Sequence, residues 1–136
     1  AGVYTLGWYT TYHANANFYH IKTDLWAGGS PHGNNEFIMG GFRIEGYSYS
    51  SPTGSSTAWI QFHNWNGSYP GLSVKQHYHN WDMGPAVYTS SDGYVVLRVN
   101  GGTYKGHVID LIQHTNYSSR DINVSSAAYN NNATHF

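Results

Sequence analysis

The sequence contains no cysteine and few charged residues. The absence of cysteine excludes disulfide bonds, zinc sites built on cysteine and thiol catalysis. Charged residues make up 10% of the 136 residues, against about a quarter in an average globular protein. The six Lys and Arg residues are dispersed, and the formal net charge is -1. Because nucleic acid is held by clusters of basic side chains, we expect no nucleic-acid partner.

Long apolar runs and helix-forming stretches are also missing. No segment approaches the roughly twenty apolar residues of a membrane-spanning helix, so we expect no membrane insertion. No stretch repeats apolar residues at helical spacing for long enough to predict an α-helix. A chain of this length is one ordinary domain, expected over residues 1–136, either complete or as a piece of a longer protein. Residues 130–136 are rich in Asn and are expected to fray.

The residues that are abundant favour β-strands. Sixteen Gly and thirteen Tyr, with many Asn, Ser and Thr, are typical of short strands joined by turns. Strands are predicted over 3–13, 18–25, 36–50, 57–64, 72–79, 86–89, 94–99 and 104–114 and within 121–129. Gly40 and Gly41 predict a bulge or bend inside the third strand. Eight or nine short strands without helices predict an all-β, jelly-roll-like antiparallel β-sandwich.

Alternation along the strands predicts which side chains face the core. Tyr19, Ile21 and Leu25 point inward in the second strand, and Ala58, Ile60 and Phe62 do so in the fourth. The first strand places Val3, Thr5 and Trp8 on one face. In 72–79, Val74 and Tyr78 fall on one face, and His77 and His79 fall on the other.

His77-Tyr78-His79 is a candidate metal site. Residues i and i+2 of a strand share a face, so both imidazoles can approach one ion, or repeat about a threefold axis to surround it. The alternative is that His77 and His79 are ordinary solvent-facing residues. The second interpretation is favoured because no third ligand accompanies the pair. The sequence therefore leaves metal binding undecided, and no cofactor is expected.

Catalysis has weak support in the sequence. Asp110, between Ile109 and Leu111, is an acidic residue in a partly enclosed position, but glycoside hydrolysis needs two carboxylates. Its alternative role is that of a strand residue paired with a Lys or a turn amide. No Ser lies in a G-x-S-x-G nucleophile elbow. We therefore expect that the chain is not an enzyme.

Two loops combine flat aromatic rings with short amide and carboxylate side chains, at positions 63–71 and 77–83. A ring face can receive the apolar side of a sugar while Asn and Asp bind its hydroxyl groups. The candidate ligand-binding residues are Trp65, Tyr69, Asn80, Trp81 and Asp82. The alternative is that the two tryptophans plug the end of the sandwich or lie between subunits.

Three strand motifs carry a resemblance to a known group of proteins. They are Tyr19-His20-Ile21-Lys22-Thr23, the stretch Phe42-Arg43-Ile44-Glu45-Gly46-Tyr47-Ser48-Tyr49, and Ser90-Ser91-Asp92-Gly93-Tyr94-Val95-Val96-Leu97. Together they resemble β-rich modules of tail-fibre and other virion structural proteins of marine tailed phages, cyanophages especially, over roughly residues 18 to 128. The resemblance implies a virion surface component, commonly a homotrimer, and carries over no catalytic residue.

The residues and the resemblance together predict a virion-surface or tail-fibre domain, extracellular and oligomeric. Its partners would be copies of itself and a glycan or protein of the host surface, bound through the aromatic loops. One alternative is an assembly module without a ligand, as in a fibre shaft, a capsid decoration or an extracellular filament. Others are a secreted lectin-like domain, a metal-dependent hydrolase built on His77 and His79, and a depolymerase.

Overall fold

The computed structural model describes residues 2–10, 16–28, 37–65, 70–102, 104–116 and 121–136. The strands in these ranges are β1 (Gly2–Thr10), β2 (Phe18–Trp26), β3 (Ile38–Ser48), β4 (Ser55–His63), β5 (Ser73–His79), β6 (Ala86–Thr89), β7 (Tyr94–Asn100), β8 (Lys105–Asn116) and β9 (Val124–Asn130). The same ranges contain no helix, and hence none that could cross a membrane. The predicted all-β class with eight or nine strands is confirmed.

The strands form two antiparallel sheets that pack as a β-sandwich. One sheet has five strands in the order β1-β8-β3-β4-β5, and the other has four in the order β6-β7-β2-β9. Apolar side chains from both sheets form one core cluster. Its largest fully buried members are Phe42, Phe62, Ile21, Leu25, Ile44, Ile60, Leu97, Ile109 and Leu111. The predicted antiparallel β-sandwich is confirmed.

Strand β4 shows how the sequence sets the two faces of the five-stranded sheet. Ile60 and Phe62 are buried, as predicted, whereas Gln61 between them is exposed. Side chains of a strand alternate between faces, so Trp59 lies on the same side as Gln61 and points away from the core. We call this solvent side of the five-stranded sheet the outer face.

Gly40 and Gly41 are required by close backbone approach in the middle of β3. A side chain at Gly40 would collide with the carbonyl oxygen of Ile112, and one at Gly41 with that of Ile60. The predicted irregularity is present, because the register of β3 against β8 shifts just before Gly40. The extra residue of this bulge is His114, on β8 rather than on β3.

Residues 131–136, which we call the covering segment, lie on part of the solvent side of the four-stranded sheet, against His20 of β2, Tyr88 of β6 and Arg98 of β7. His20 lies on this side of β2 and is fully buried. Its Nε2 lies 3.0 Å from the carbonyl oxygen of Asn132, and Arg98 Nη1 donates to the carbonyl oxygen of Ala133 at 2.8 Å. The chain thus buries part of this face, including His20, with its own residues.

The covering segment lies within residues 130–136, whose fraying stays a prediction. Asparagine side chains fix its turn: the Asn17 amide donates to Asn131 Oδ1 at 3.0 Å, and the Asn132 amide donates to Asn130 Oδ1 at 2.7 Å. Asn oxygens readily accept from nearby backbone N–H groups, so an Asn-rich stretch can order a turn as well as loosen one.

Candidate functional site

A row of side chains crosses the outer face with one residue from each of its five strands. Directly opposite residues of antiparallel strands share a face, and the pairing is continuous across the sheet. From β1 to β5 the residues are Thr5, Asp110, Arg43, Trp59 and Tyr78. We call this the central row. It places polar groups at one end and aromatic rings at the other.

The aromatic end of the central row is formed by Trp59 and Tyr78. Their ring centroids are 5.9 Å apart and the planes are inclined by 26°, so the rings stack. Tyr78 lies on the edge strand β5 and is 47% exposed, and Trp59 is partly exposed. Stacking limits the rotation of both side chains, so the pair presents a preorganised aromatic surface.

The polar end of the central row is a hydrogen-bonded ion pair. Arg43 Nη2 lies 3.0 Å from Asp110 Oδ2, and Thr5 Oγ1 donates to Asp110 Oδ1 at 2.9 Å. Asp110 is thereby a strand residue paired with a basic side chain, here an Arg rather than the Lys considered from the sequence. The Arg43 side chain remains 48% exposed, so its guanidinium still faces solvent beside the Trp59 ring.

A depression of about 210 Å³ lies beside the middle of the central row, where Arg43 and Trp59 are neighbours. Gly41 forms part of its floor because it has no side chain, and Arg43, Trp59, Gln61 and Ile112 are among the residues that line it. Sites for drug-sized ligands measure roughly 300–1,000 Å³, so this one suits a single small ring. A stacked ring, a guanidinium and an amide around it can bind a flat, hydroxylated ligand.

The titratable groups with shifted pKa values lie outside the central row. Burial lowers the pKa of His107 to about 4, with a smaller contribution from the charge of Lys105. Burial also lowers the pKa of His20, beneath the covering segment. Burial raises the pKa of the Tyr19 hydroxyl, which accepts a hydrogen bond from Tyr129 at 3.0 Å.

The histidine pair lies on a different face from the one predicted. Lys75 is the extra residue of a bulge in β5, since Val74 pairs with Phe62 and Gln76 with Gln61. Beyond this bulge the alternation is reversed: His77 and His79 share the side of Val74, and Tyr78 is on the outer face.

His77 and His79 are exposed there, with ring centroids 6.4 Å apart. Among the described residues there is no group of three metal-ligating side chains. Metal binding by the pair stays a hypothesis.

Three of the residues predicted from the aromatic loops follow β5 in a tight turn. The Thr57 amide donates to Asn80 Oδ1 at 2.6 Å, and Asn100 Nδ2 donates to Asp82 Oδ1 at 3.0 Å. Asp82 Oδ2 also lies 3.3 Å from Lys105 Nζ. Trp81, between them, has a φ of 40° and an exposed ring. The polar groups of Asn80 and Asp82 therefore hold the turn, while the Trp81 ring is accessible.

Trp65 lies at the opposite end of the sheet from Trp81. Neighbouring antiparallel strands end at opposite edges, and Trp65 follows β4 whereas Trp81 follows β5. The Trp65 ring is exposed and makes an edge contact with Phe37, at 6.2 Å between centroids. Tyr69 lies outside the described residues. The structure therefore does not bring the predicted loop residues together into one site.

One residue of the central row, Trp59, could have been recognised from the alternation of β4, which the prediction from the loops did not use. With Ile60 and Phe62 assigned inward, Trp59 is an aromatic residue at an outward position of a strand, where polar side chains are usual. Tyr78 carried no such signal, because the bulge at Lys75 reverses its face.

No protein-family model matches this sequence, and no curated protein matches it. Among solved structures, the chain is similar to part of the tailspike protein of Acinetobacter phage vB_ApiP_P1, with a TM-score of 0.40 and 11% sequence identity. The similarity covers 91% of this chain and 22% of the tailspike chain. The resemblance to marine-phage fibre modules stays a prediction.

Proposed function

We propose that the chain is a non-catalytic glycan-binding domain of a virion surface protein, and that the glycan lies on the outer face of the five-stranded sheet. The central row is the observation that carries this proposal. It joins the stacked pair of Trp59 and Tyr78 to the Arg43–Asp110 ion pair on adjacent strands. The site is built on strands and not on loops, so its geometry is held by the sheet hydrogen bonds.

A sugar matches the chemistry of this row. One face of a pyranose ring is apolar and packs on an aromatic side chain, while its hydroxyl groups need donors and acceptors in the plane of the ring edge. Trp59 supplies the aromatic contact, and Arg43 and Gln61 supply polar groups around the same depression. A purely apolar ligand would leave the guanidinium and the amide without partners, at a cost in affinity.

The virion setting of the proposal is supported by the sequence resemblance, which also suggests a homotrimer. Several copies on one particle would bind a repetitive cell-surface glycan together. Linked weak sites raise the apparent affinity by orders of magnitude when their geometry allows simultaneous binding. A shallow site such as the depression over Gly41 is therefore sufficient for adsorption.

The test compares three tryptophan variants on a printed array of bacterial surface glycans, followed by titration calorimetry on the glycans that bind. Trp59→Ala is expected to lower the affinity about tenfold, because a ring contact is worth about 1 kcal/mol beyond its buried area. Trp65→Ala and Trp81→Ala, which remove exposed rings at the two ends of the sheet, are the matched controls. Circular dichroism and thermal melting check that each variant folds.

Two results would contradict the proposal. If Trp65→Ala or Trp81→Ala removes binding and Trp59→Ala does not, the ligand lies on the loops. If the wild-type protein binds no glycan of the array, the domain is not a glycan-binding module of this kind.

A second candidate function, assembly without a ligand, is favoured by the edge strand β1. Its nine residues, Gly2–Thr10, contain no charged side chain, whereas natural edge strands usually carry charges or proline that block pairing with another sheet. Within the described part of the chain, β1 pairs with β8 alone. Light scattering of Val3→Lys tests this candidate: loss of an oligomer present in the wild type supports it, and a monomeric wild type contradicts it.

A further inference from the structure

A second aromatic position lies on the outer face, across the sheet from Trp59 and Tyr78. Trp8 of β1 is 72% exposed. It begins a row of directly opposite residues that runs across β1, β8, β3 and β4: Trp8, Val108, Glu45 and Thr57. We call these four residues the second row. An open depression of about 500 Å³ lies here, bordered by Trp8, Val108 and Tyr47 among others.

Each edge strand of this sheet, β1 and β5, has a bulge that places one aromatic side chain on the outer face. In β1 the register shifts between Thr5 and Gly7, so Leu6 is an extra residue and Trp8 faces outward with Thr5. Strict alternation would have pointed Trp8 into the core. The bulge in β5 does the same for Tyr78. Bulges re-aim side chains and are frequent next to functional sites, so the two outward aromatics are built into the sheet.

The surface between the two aromatic positions is polar apart from Val108, which lies next to Trp8. Arg43 and Asp110 belong to the central row, and Thr57 Oγ1 donates to Glu45 Oε2 at 3.3 Å in the second row. Trp8 and Trp59 are separated by three strand spacings and one step between rows, which places their Cα atoms about 16 Å apart. This distance exceeds one sugar ring, and it suits a chain of several rings with hydroxyl groups over the polar middle.

We propose that the outer face binds a neutral oligosaccharide of several residues, lying obliquely from the Trp59–Tyr78 pair to Trp8. This inference rests on the proposed glycan-binding function and adds the length and charge of the ligand. The two rows carry one basic side chain, Arg43, against two acidic ones, Asp110 and Glu45. An anionic polysaccharide would therefore meet a net negative surface, whereas a neutral one would not.

The test measures affinity against ligand length by titration calorimetry. The probes are neutral ladders of α-1,4-glucan, β-1,4-glucan, β-1,4-xylan and α-1,6-mannan, from monosaccharide to hexasaccharide, together with any neutral glycan that binds on the array. For the wild type, affinity is expected to rise with length and then level off. Trp8→Ala should lower the affinity for the longest ligands about tenfold and leave the monosaccharide unchanged, and Trp8→Phe should restore most of it.

The variants separate failure of this inference from failure of the proposed function. If Trp59→Ala weakens binding at every length and Trp8→Ala at none, the extended site is wrong while the glycan site stands. If neither variant changes the affinity, both are wrong. If only acidic glycans of the array bind, the inference of a neutral ligand is wrong. If no glycan binds at all, both the extended site and the proposed glycan-binding function are wrong.

A second copy of the chain is the other molecule that could bind this surface. Light scattering of the wild type and of Trp8→Ala tests for it. If Trp8→Ala converts an oligomer into a monomer, Trp8 is a subunit contact and the extended site is wrong. An unchanged oligomeric state, together with the length-dependent loss of affinity, supports the proposal.

Discussion

The solvent sides of the two sheets differ in how far other residues of the chain cover them. Residues 131–136 cover part of the four-stranded sheet, where their carbonyl oxygens bond the side chains of the buried His20 and of Arg98. The five-stranded sheet leaves Trp8, Tyr47 and Tyr78 largely in water on its outer face. One chain therefore contains both a self-covered face and an open aromatic face. Trp8 and Tyr47 border one open depression, and contiguous exposed apolar surface marks binding sites more often than scattered residues do.

The hydrogen bonds under the covering segment centre on the Tyr88 hydroxyl. The Tyr88 hydroxyl lies 2.8 Å from His20 Nδ1 and accepts from the His135 and Phe136 amides at 3.1 and 3.3 Å. The described groups of the central row, in contrast, keep exposed donors such as the Arg43 guanidinium. Several polar groups of the covered face thus bond within the chain, although the buried Nε of Arg98 has no hydrogen-bond partner among the described residues. The open face keeps exposed polar groups for an external partner.

Acid should have the largest effect on stability, and it should act through the buried histidines. Burial lowers the pKa of His107 to about 4, from 6.5 in an exposed histidine. Between these pH values the unfolded chain binds more protons, so acidification favours unfolding by up to about 3 kcal/mol at pH 4. The lowered pKa of His20 acts in the same direction. Urea unfolding at pH 7 and pH 4.5 measures the loss, and His107→Gln should reduce it; an equal loss in this variant would show that His107 is not the cause.

Tyr88→Phe should weaken the cover. It removes the hydroxyl that binds the buried His20 and two backbone amides, and the free energy of unfolding should fall by about 2 kcal/mol because three groups lose a hydrogen-bond partner together. Tyr47→Phe is the matched control on the open face, where the ring is 61% exposed, and should change stability by less than about 0.5 kcal/mol. Equal losses in both variants would contradict the distinction between the faces. Hydrogen exchange of residues 131–136 provides a second readout.

Arg43→Ala should separate binding from stability. The Arg43–Asp110 pair is partly exposed, so its loss should cost less than about 1 kcal/mol of stability. The affinity for a bound glycan should fall about fivefold, because a charge-assisted hydrogen bond to the ligand is removed. Lys22→Ala breaks the Lys22–Asp92 pair beside the covered face and is the control, with affinity unchanged. An equal loss of affinity in both variants would show that the effect comes from the net charge of the protein and not from a contact between Arg43 and the ligand.

Trp8→Ala should have the smallest effect on the fold. The side chain is mostly in water, so the free energy of unfolding should change by no more than about 0.5 kcal/mol. Chemical denaturation of the isolated variant measures this. A loss of several kcal/mol would show that Trp8 supports the sheet rather than a ligand.

The fold was predictable because strand signals are local. The alternation of Tyr19, Ile21 and Leu25, all buried, needed no knowledge of distant partners. The same holds for the glycine pair in β3, where the predicted irregularity occurs. The cover was not predictable in this way: an Asn-rich stretch looks disordered until the sheet that it packs against is known.

The candidate site was less predictable because it depends on register between distant strands. Arg43 and Asp110 become neighbours only when β3 pairs with β8, 67 residues further along the chain. Tyr78 reaches the outer face through a bulge that periodicity does not show. The loop tryptophans Trp65 and Trp81 were recognisable by composition, but composition does not reveal that they lie at opposite ends of the sheet.

The backbone contacts at Gly40 and Gly41 divide the outer face into fixed and variable positions for protein engineering. Any side chain at either glycine would collide with a neighbouring carbonyl, so both must be kept in a combinatorial library. Gln61 and Gln76, opposite each other and exposed beside Gly41, can be randomised without touching the core. A phage-display or yeast-display selection that varies these positions would change ligand preference on a scaffold whose strands stay the same.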